Sequence, residues 1–181
     1  KLPYDIVFIL NKYFRLMGEA IESSGGYLDK FIGDGIMALF GVEDGPVKGS
    51  QKALAAAAGM AKALEEINQS LAHDLDAPLR IGIGIHCGPA IVGQMGHGSA
   101  FQLTAIGDTV NTASRLESMT KEKGVVLIVS AEAEARAGVA LDTFPSDEVM
   151  IRGRTTQMPI RLIDDPASLD ISRKLSTDKA A

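Results

Sequence analysis

Tryptophan is absent and cysteine nearly so. The 181-residue chain has no Trp, one Cys and three His, and aromatic residues make up only 5% of it. A lone cysteine, Cys87, cannot close a disulfide within the chain. The fold is therefore expected to hold by packing alone, in a reducing, cytoplasmic setting. His73, His86 and His97 stand at no metal-ligand spacing and receive no role. Positive charge is also scarce: 18 Lys and Arg face 23 Asp and Glu, for a net charge of −5. That balance gives no electrostatic reason to expect nucleic acid as a partner. Long apolar runs are missing too. The longest, Ala53 to Leu64, is mostly alanine and contains Gly59 and Lys62, too short and weak to span a bilayer. The first residues carry no basic segment followed by an apolar core, so they do not read as a signal peptide.

What remains is ordinary globular composition, 46% hydrophobic and 23% charged. At this length it argues for one domain with a sizeable core. Ile6, Leu10, Tyr13, Phe14, Met17 and Ile21 recur at helical spacing after Pro3. Tyr27 to Ile32 and Ile36 to Phe40 read as strands joined through Gly33-Asp34-Gly35, a hairpin signal. Val42 to Gly49 reads as a loop and Ser50 to about Leu71 as a second helix. Leu79 to Cys87 alternates isoleucine with glycine, a strand with one very small face. Ala90 to Gln94 and Phe101 to Ile106 are further strands. Asp108 can cap a third helix running to about Thr120. Val125 to Val129 is a buried strand and Glu132 to Ala137 a short helix. Glu148 to Arg152 and Pro159 to Ile163 read as closing strands. From Asp164 the chain turns polar and reads as a frayed tail. Helices alternating with strands and hairpins predict a layered α/β or α+β domain over residues 1–163, followed by a polar tail over 164–181.

Two segments carry chemistry. In Lys30-Phe31-Ile32-Gly33-Asp34-Gly35-Ile36-Met37-Ala38, a carboxylate sits on a tight turn four residues after a lysine. A carboxylate so held can ligate a hard cation, although Asp34 alone suits a plain turn equally well. In Gly107-Asp108-Thr109-Val110-Asn111-Thr112-Ala113-Ser114-Arg115-Leu116-Glu117, an amide and a guanidinium lie four residues apart on a helix, hence on one face. Such a pair can grip phosphate oxygens. Together the segments suggest metal-assisted chemistry on a nucleoside triphosphate.

Both segments closely resemble the class III nucleotidyl cyclase catalytic domain, the adenylate and guanylate cyclase family, from about Pro3 to about Leu162. The resemblance implies a ferredoxin-like β-α-β-β-α-β core with added strands and helices. It implies conversion of ATP to cyclic AMP and pyrophosphate with two Mg²⁺ or Mn²⁺ ions. Asp34 matches one of the family's two metal aspartates. Asn111 matches the residue that orients the ribose, and Arg115 the one that binds phosphate as charge builds in the transition state. Lys30 and Thr104 match the purine-reading positions. Lysine can donate to adenine N1, and a hydroxyl can face the adenine amino group. Guanylate cyclases typically carry Glu and Cys there. Arg152, before Gly153, matches a basic residue that contacts the β- and γ-phosphates, with a surface strand charge as its plain alternative. The resemblance further implies a head-to-tail homodimer with two active sites at its interface. One subunit would give Asp34, and the other Lys30, Thr104, Asn111, Arg115 and Arg152. Fusion or coupling to a sensor or regulatory domain is implied as well. The family's first strand, with its other metal aspartate, precedes the first helix and has no counterpart between Lys1 and Pro3. That gap keeps open a non-catalytic, cyclase-like regulatory module. A guanylate cyclase is the other alternative, which Lys30 disfavours.

Overall fold

A computed structural model describes residues 3–98, 101–151, 155–169 and 171. Arg152, expected at the substrate phosphates, lies outside the described residues.

The first helix, α1, runs Pro3–Ser23. Its stripe buries Met17 and Ile21, while Ile6, Val7 and Phe8 near its start stay exposed. Gly25, at φ 80°, ends it: the Gly25 amide donates to the Glu22 carbonyl at 2.9 Å and the Gly26 amide to the Ile21 carbonyl at 3.0 Å. These bonds satisfy carbonyls that the last turn would otherwise leave open. Strands β1 (Tyr27–Ile32) and β2 (Gly35–Leu39) then form the expected hairpin, with Gly33-Asp34 as its two-residue loop. Gly33 adopts φ 62°, which a glycine tolerates at no steric cost.

The second helix, α2, spans Gly45–Ser70 and so begins inside the segment expected to be a loop. Pro46 in its first turn is the reason: there a missing N–H costs nothing. Its buried stripe includes Leu54, Ala57, Leu64 and Ile67. The long strand expected over Leu79 to Cys87 contracts to β3, Ile83–Ile85. β4 (Ile91–Met95) and β5 (Gln102–Ile106) form a second antiparallel hairpin. The third helix, α3, covers Asp108–Lys123, three residues past the expected end, and stops at Gly124 with φ 69°. Its N-cap is Gly107, without a side-chain cap bond. Asp108 therefore sits within the first turn rather than at the N-cap, and its charge complements the helix dipole there.

β6 (Leu127–Ser130) is buried throughout and followed by α4 (Ala131–Ala137), which the Ser130 hydroxyl caps through the Ala133 amide. β7 (Ser146–Val149) and β8 (Met158–Ile163) complete a four-stranded sheet of order β3-β6-β8-β7. β3 runs parallel to β6, and the other pairs are antiparallel. Leu54, Ala57, Leu127, Val129 and Ile163 form the core between this sheet, α2 and α4. On the opposite face, Leu116 of α3 packs with Ile128 and Ile160. The frayed tail expected from Asp164 is corrected in its described part. Pro166–Ser168 form a 3-10 turn capped by Asp165, and Leu169 and Ile171 join the core.

Among the described residues the strands make three separate sheets, with β1-β2 and β4-β5 apart from the four-stranded one. A cavity of about 1330 Å³ separates β2 from β3, with Ala53, Ala56, Ala57 and Met60 of α2 among its lining. Ile36 to Leu39 and Ile83 to Ile85 face it from the two strands.

Candidate active site

Asp29, Lys30 and Asp34 all belong to the first hairpin, and a register irregularity decides how they point. Leu28 opposes Ala38 and Lys30 opposes Met37, which leaves Asp29 as an extra residue without a partner on β2. Such a bulge re-aims side chains and increases local twist. Here it drives the Asp29 side chain fully inward, 0% exposed, while Lys30 keeps 37% of its side chain exposed.

The inward carboxylate meets β5. The Thr104 hydroxyl, itself buried, donates to Asp29 Oδ2 at 2.5 Å across 75 residues of sequence. Lys30 Nζ lies 3.7 Å from Asp29 Oδ1, inside ion-pair range but too far for a hydrogen bond. Oδ1 is buried and accepts no hydrogen bond among the described residues. The fold thus gathers Lys30 and Thr104, the two positions expected to read the purine, around a third residue, Asp29, that the motifs do not include. The local signal for it was weak: Asp29 and Lys30 are adjacent charges between apolar Leu28 and Phe31, and alternation alone does not decide which of them faces inward.

Asp34 is exposed on the hairpin loop and lines the large cavity, as does Asn111 in the first turns of α3. Arg115, one turn further along α3, is half-buried and is not among the residues lining that cavity. Neither Lys30 nor Thr104 lines it either. Its lining combines small residues of α2 and the edges of two strands with polar side chains, Asp34, Asn111 and Glu117 among them. Lys30 and Thr104 therefore stand apart from this cavity.

Tyr13 of α1, also at the cavity, marks the electrostatics near Asp34. Burial raises its phenol pKa most, and the carboxylates of Asp34 and Glu117 raise it further. Tyr13, Asp34 and Glu117 all line the same cavity.

The helix that carries Asn111 and Arg115 is set by glycine. A Cβ on Gly84 would stand 2.3 Å from the Ala113 carbonyl oxygen and 2.4 Å from the Glu117 amide nitrogen, and one on Gly82 would stand 2.1 Å from Thr120 Oγ1. The very small strand face expected from the Ile-Gly alternation is what lets α3 lie directly on β3.

For a divalent cation the donor set is partial. Among the described residues no three His, Cys, Asp or Glu side chains group closely enough to hold an ion. Asp34 is exposed on a tight turn. It fits a Mg²⁺ or Mn²⁺ ion that takes its remaining ligands from water and substrate phosphates, a common arrangement for Mg²⁺.

This arrangement has close parallels in sequence and in shape. The family profile of the adenylate and guanylate cyclase catalytic domain matches residues 1–163. An adenylate cyclase of Anabaena cylindrica is 40% identical over 132 residues, 71% of this chain and 25% of that protein. Adenylate cyclase 1 of Rhizobium meliloti is 31% identical over 158 residues, 87% of this chain and 24% of that protein. The chain thus spans about a quarter of the length of these curated relatives. Among solved structures, a guanylyl cyclase superposes with a TM-score of 0.79 at 29% identity, covering 95% of this chain and 88% of its own. The adenylyl cyclase CyaB from P. aeruginosa superposes at 0.74 with 27% identity, covering 94% and 88%. With the profile running from the first residue to the end of β8, this chain belongs to the adenylate and guanylate cyclase catalytic domain family.

Proposed function

We propose that the chain is an adenylate cyclase catalytic domain that converts ATP to cyclic AMP and pyrophosphate. The observation that carries the choice of ATP is the meeting of Lys30 and Thr104 at buried Asp29. A lysine ammonium only donates, which suits the N1 acceptor of adenine and opposes the N1–H of guanine. The two curated adenylate cyclases support the same reading.

In the reaction the ribose 3′-hydroxyl attacks the α-phosphorus and pyrophosphate leaves. Asn111 orients the ribose from the first turns of α3. Arg115 and Arg152 bind phosphate oxygens as negative charge accumulates there, where fixed donors contribute most. Asp34 holds divalent metal, Mg²⁺ or Mn²⁺, which when bound neutralises phosphate charge and eases deprotonation of the hydroxyl. A pair of ions calls for a second carboxylate. In the family resemblance that aspartate would belong to a strand preceding α1.

The domain acts as a homodimer in this reading. Phe31 and Ile32 of the first hairpin and Ile91 and Ile106 of the second are apolar yet 49–66% exposed. Ile91 and Ile106 are cross-strand partners, and exposed apolar side chains grouped in this way mark association surfaces. No helix among the described residues is long and apolar enough to cross a membrane. The domain is proposed to work in the cytoplasm, under a sensor or regulatory region such as the relatives' greater length can accommodate.

The test is cyclic nucleotide formation from ATP and from GTP with Mn²⁺, followed by product chromatography. Cyclic AMP from ATP, well above cyclic GTP from GTP, is expected. Dominant cyclic GTP would make it a guanylate cyclase. Nucleotide binding without either product would make it a regulatory module, which the partial metal donor set favours.

A further inference from the structure

We propose that Asp29 is a positioning residue that sets purine choice by fixing the polarity of the Thr104 hydroxyl. The inference rests on the cyclase reading above and deepens it.

A threonine hydroxyl has one proton and two lone pairs, so left to itself it serves a donor or an acceptor equally well. It could then face the 6-amino group of adenine, a donor, or the 6-oxo group of guanine, an acceptor, with little preference. Thr104 is not left to itself. Its proton goes to Asp29 Oδ2 at 2.5 Å, and an ionised carboxylate can only accept. The Thr104 oxygen is thereby left with lone pairs alone. It can accept from the adenine amino group and has nothing to offer the guanine oxygen. Discrimination of this kind, in which the wrong partner leaves a buried group unpaired, is far steeper than discrimination by size.

Three features suit Asp29 to this task. It is the bulged residue of β1, so its inward aim does not depend on strand alternation. Its side chain is 0% exposed, so water does not compete for the Thr104 proton. Its second oxygen accepts no hydrogen bond among the described residues, and the nearest cation, Lys30, stands 3.7 Å away. A buried carboxylate oxygen left so sparsely satisfied is costly to a fold, which argues for a role beyond packing.

The experiment compares kcat/KM for ATP and GTP in the full chain and in Asp29→Asn. The affinities of both nucleotides are also measured by calorimetry with Ca²⁺ in place of Mg²⁺. Asn is isosteric but can turn its amide toward Thr104 and return the hydroxyl proton to the pocket. The ATP:GTP ratio should fall about tenfold in rate and in affinity, the scale of one mismatched buried hydrogen bond. In a Thr104→Ala background the same substitution should change the ratio severalfold less. An equal change in both backgrounds, or an unchanged ratio with a folded Asp29→Asn protein, would overturn the inference and leave the cyclase reading standing. An unmutated chain that neither binds nor cyclises either nucleotide would remove both.

A second measurement needs no variant. Purine riboside triphosphate keeps the N1 acceptor but lacks the 6-amino group. The unmutated protein should use it about tenfold less well than ATP, because the acceptor-only Thr104 oxygen loses its donor. Equal use of the two would show that Thr104 does not accept from the base, and the inference fails.

Discussion

Gly84 of β3 and Ala113 of α3 approach so closely that a Cβ on the glycine would stand 2.3 Å from the Ala113 carbonyl oxygen. Backbone against backbone cannot yield by a rotamer change. Gly84→Ala should therefore push α3 away from the sheet and cost about 1–3 kcal/mol of stability. Gly93→Ala is the control, because nothing lies within 4 Å of a Cβ there, and it should stay within about 0.5 kcal/mol of the parent. Urea unfolding of the two variants gives the comparison. Equal stabilities would mean that α3 does not rest on β3 through this glycine.

Asn111 and Arg115 ride on the helix so placed. Asn111→Ala and Arg115→Ala should each lower turnover by about 10²–10³ while changing ATP affinity far less, because both are assigned to the transition state. Steady-state kinetics separates the cases. A variant in which KM rises and kcat holds would reassign that residue to ground-state binding.

Lys30 and Thr104 should carry the base preference. Lys30→Glu with Thr104→Cys should weaken use of ATP and raise use of GTP, each matched hydrogen bond being worth about 1–3 kcal/mol. The glutamate would also stand beside the Asp29 carboxylate, the group Lys30 now faces at 3.7 Å. Like charges repel there, so the loss with ATP should exceed the gain with GTP. An unchanged ATP:GTP preference would remove both residues from the base site.

Asp34 and Asn111 line one cavity within a single chain, yet the dimer reading assigns them to opposite halves of each active site. Asp34→Ala and Asn111→Ala should each be nearly inactive in a form of the domain that cyclises ATP. Mixed and allowed to exchange, they should regain roughly a quarter of the parent activity, since half the dimers then hold one intact site of two. No recovery despite proven exchange would place the whole site within one chain.

Tyr13 reports on Asp34. Its pKa is raised first by burial, then by Asp34 and Glu117. Because the folded value exceeds the unfolded one, the neutral phenol's contribution to stability is intact below about pH 10 and is lost as pH rises through the folded value. Ultraviolet titration, with Tyr13→Phe as the subtraction reference, should show a late phenol. Asp34→Asn should bring that titration to lower pH. A titration that does not move would separate Asp34 from Tyr13.

Local patterns in the sequence were enough for most elements and for the family. Gly33-Asp34 between two apolar runs specifies a hairpin, because a two-residue loop needs a backbone that only glycine supplies cheaply. Asn111 and Arg115 share a helix face by spacing alone. The Ile-Gly alternation already declared a strand with one bare face. Other features depend on contacts between residues distant along the chain. Leu169 and Ile171 docked a segment whose composition reads as tail. Asp29 is the clearest case. As a sequence it is an acidic residue beside a lysine, the usual look of a solvated strand. Its burial follows from a register slip in β1, and its importance from a hydroxyl 75 positions away. Neither is a property of neighbouring residues. Both arise when two hairpins pack and a buried carboxylate must find its donor wherever the fold has brought one.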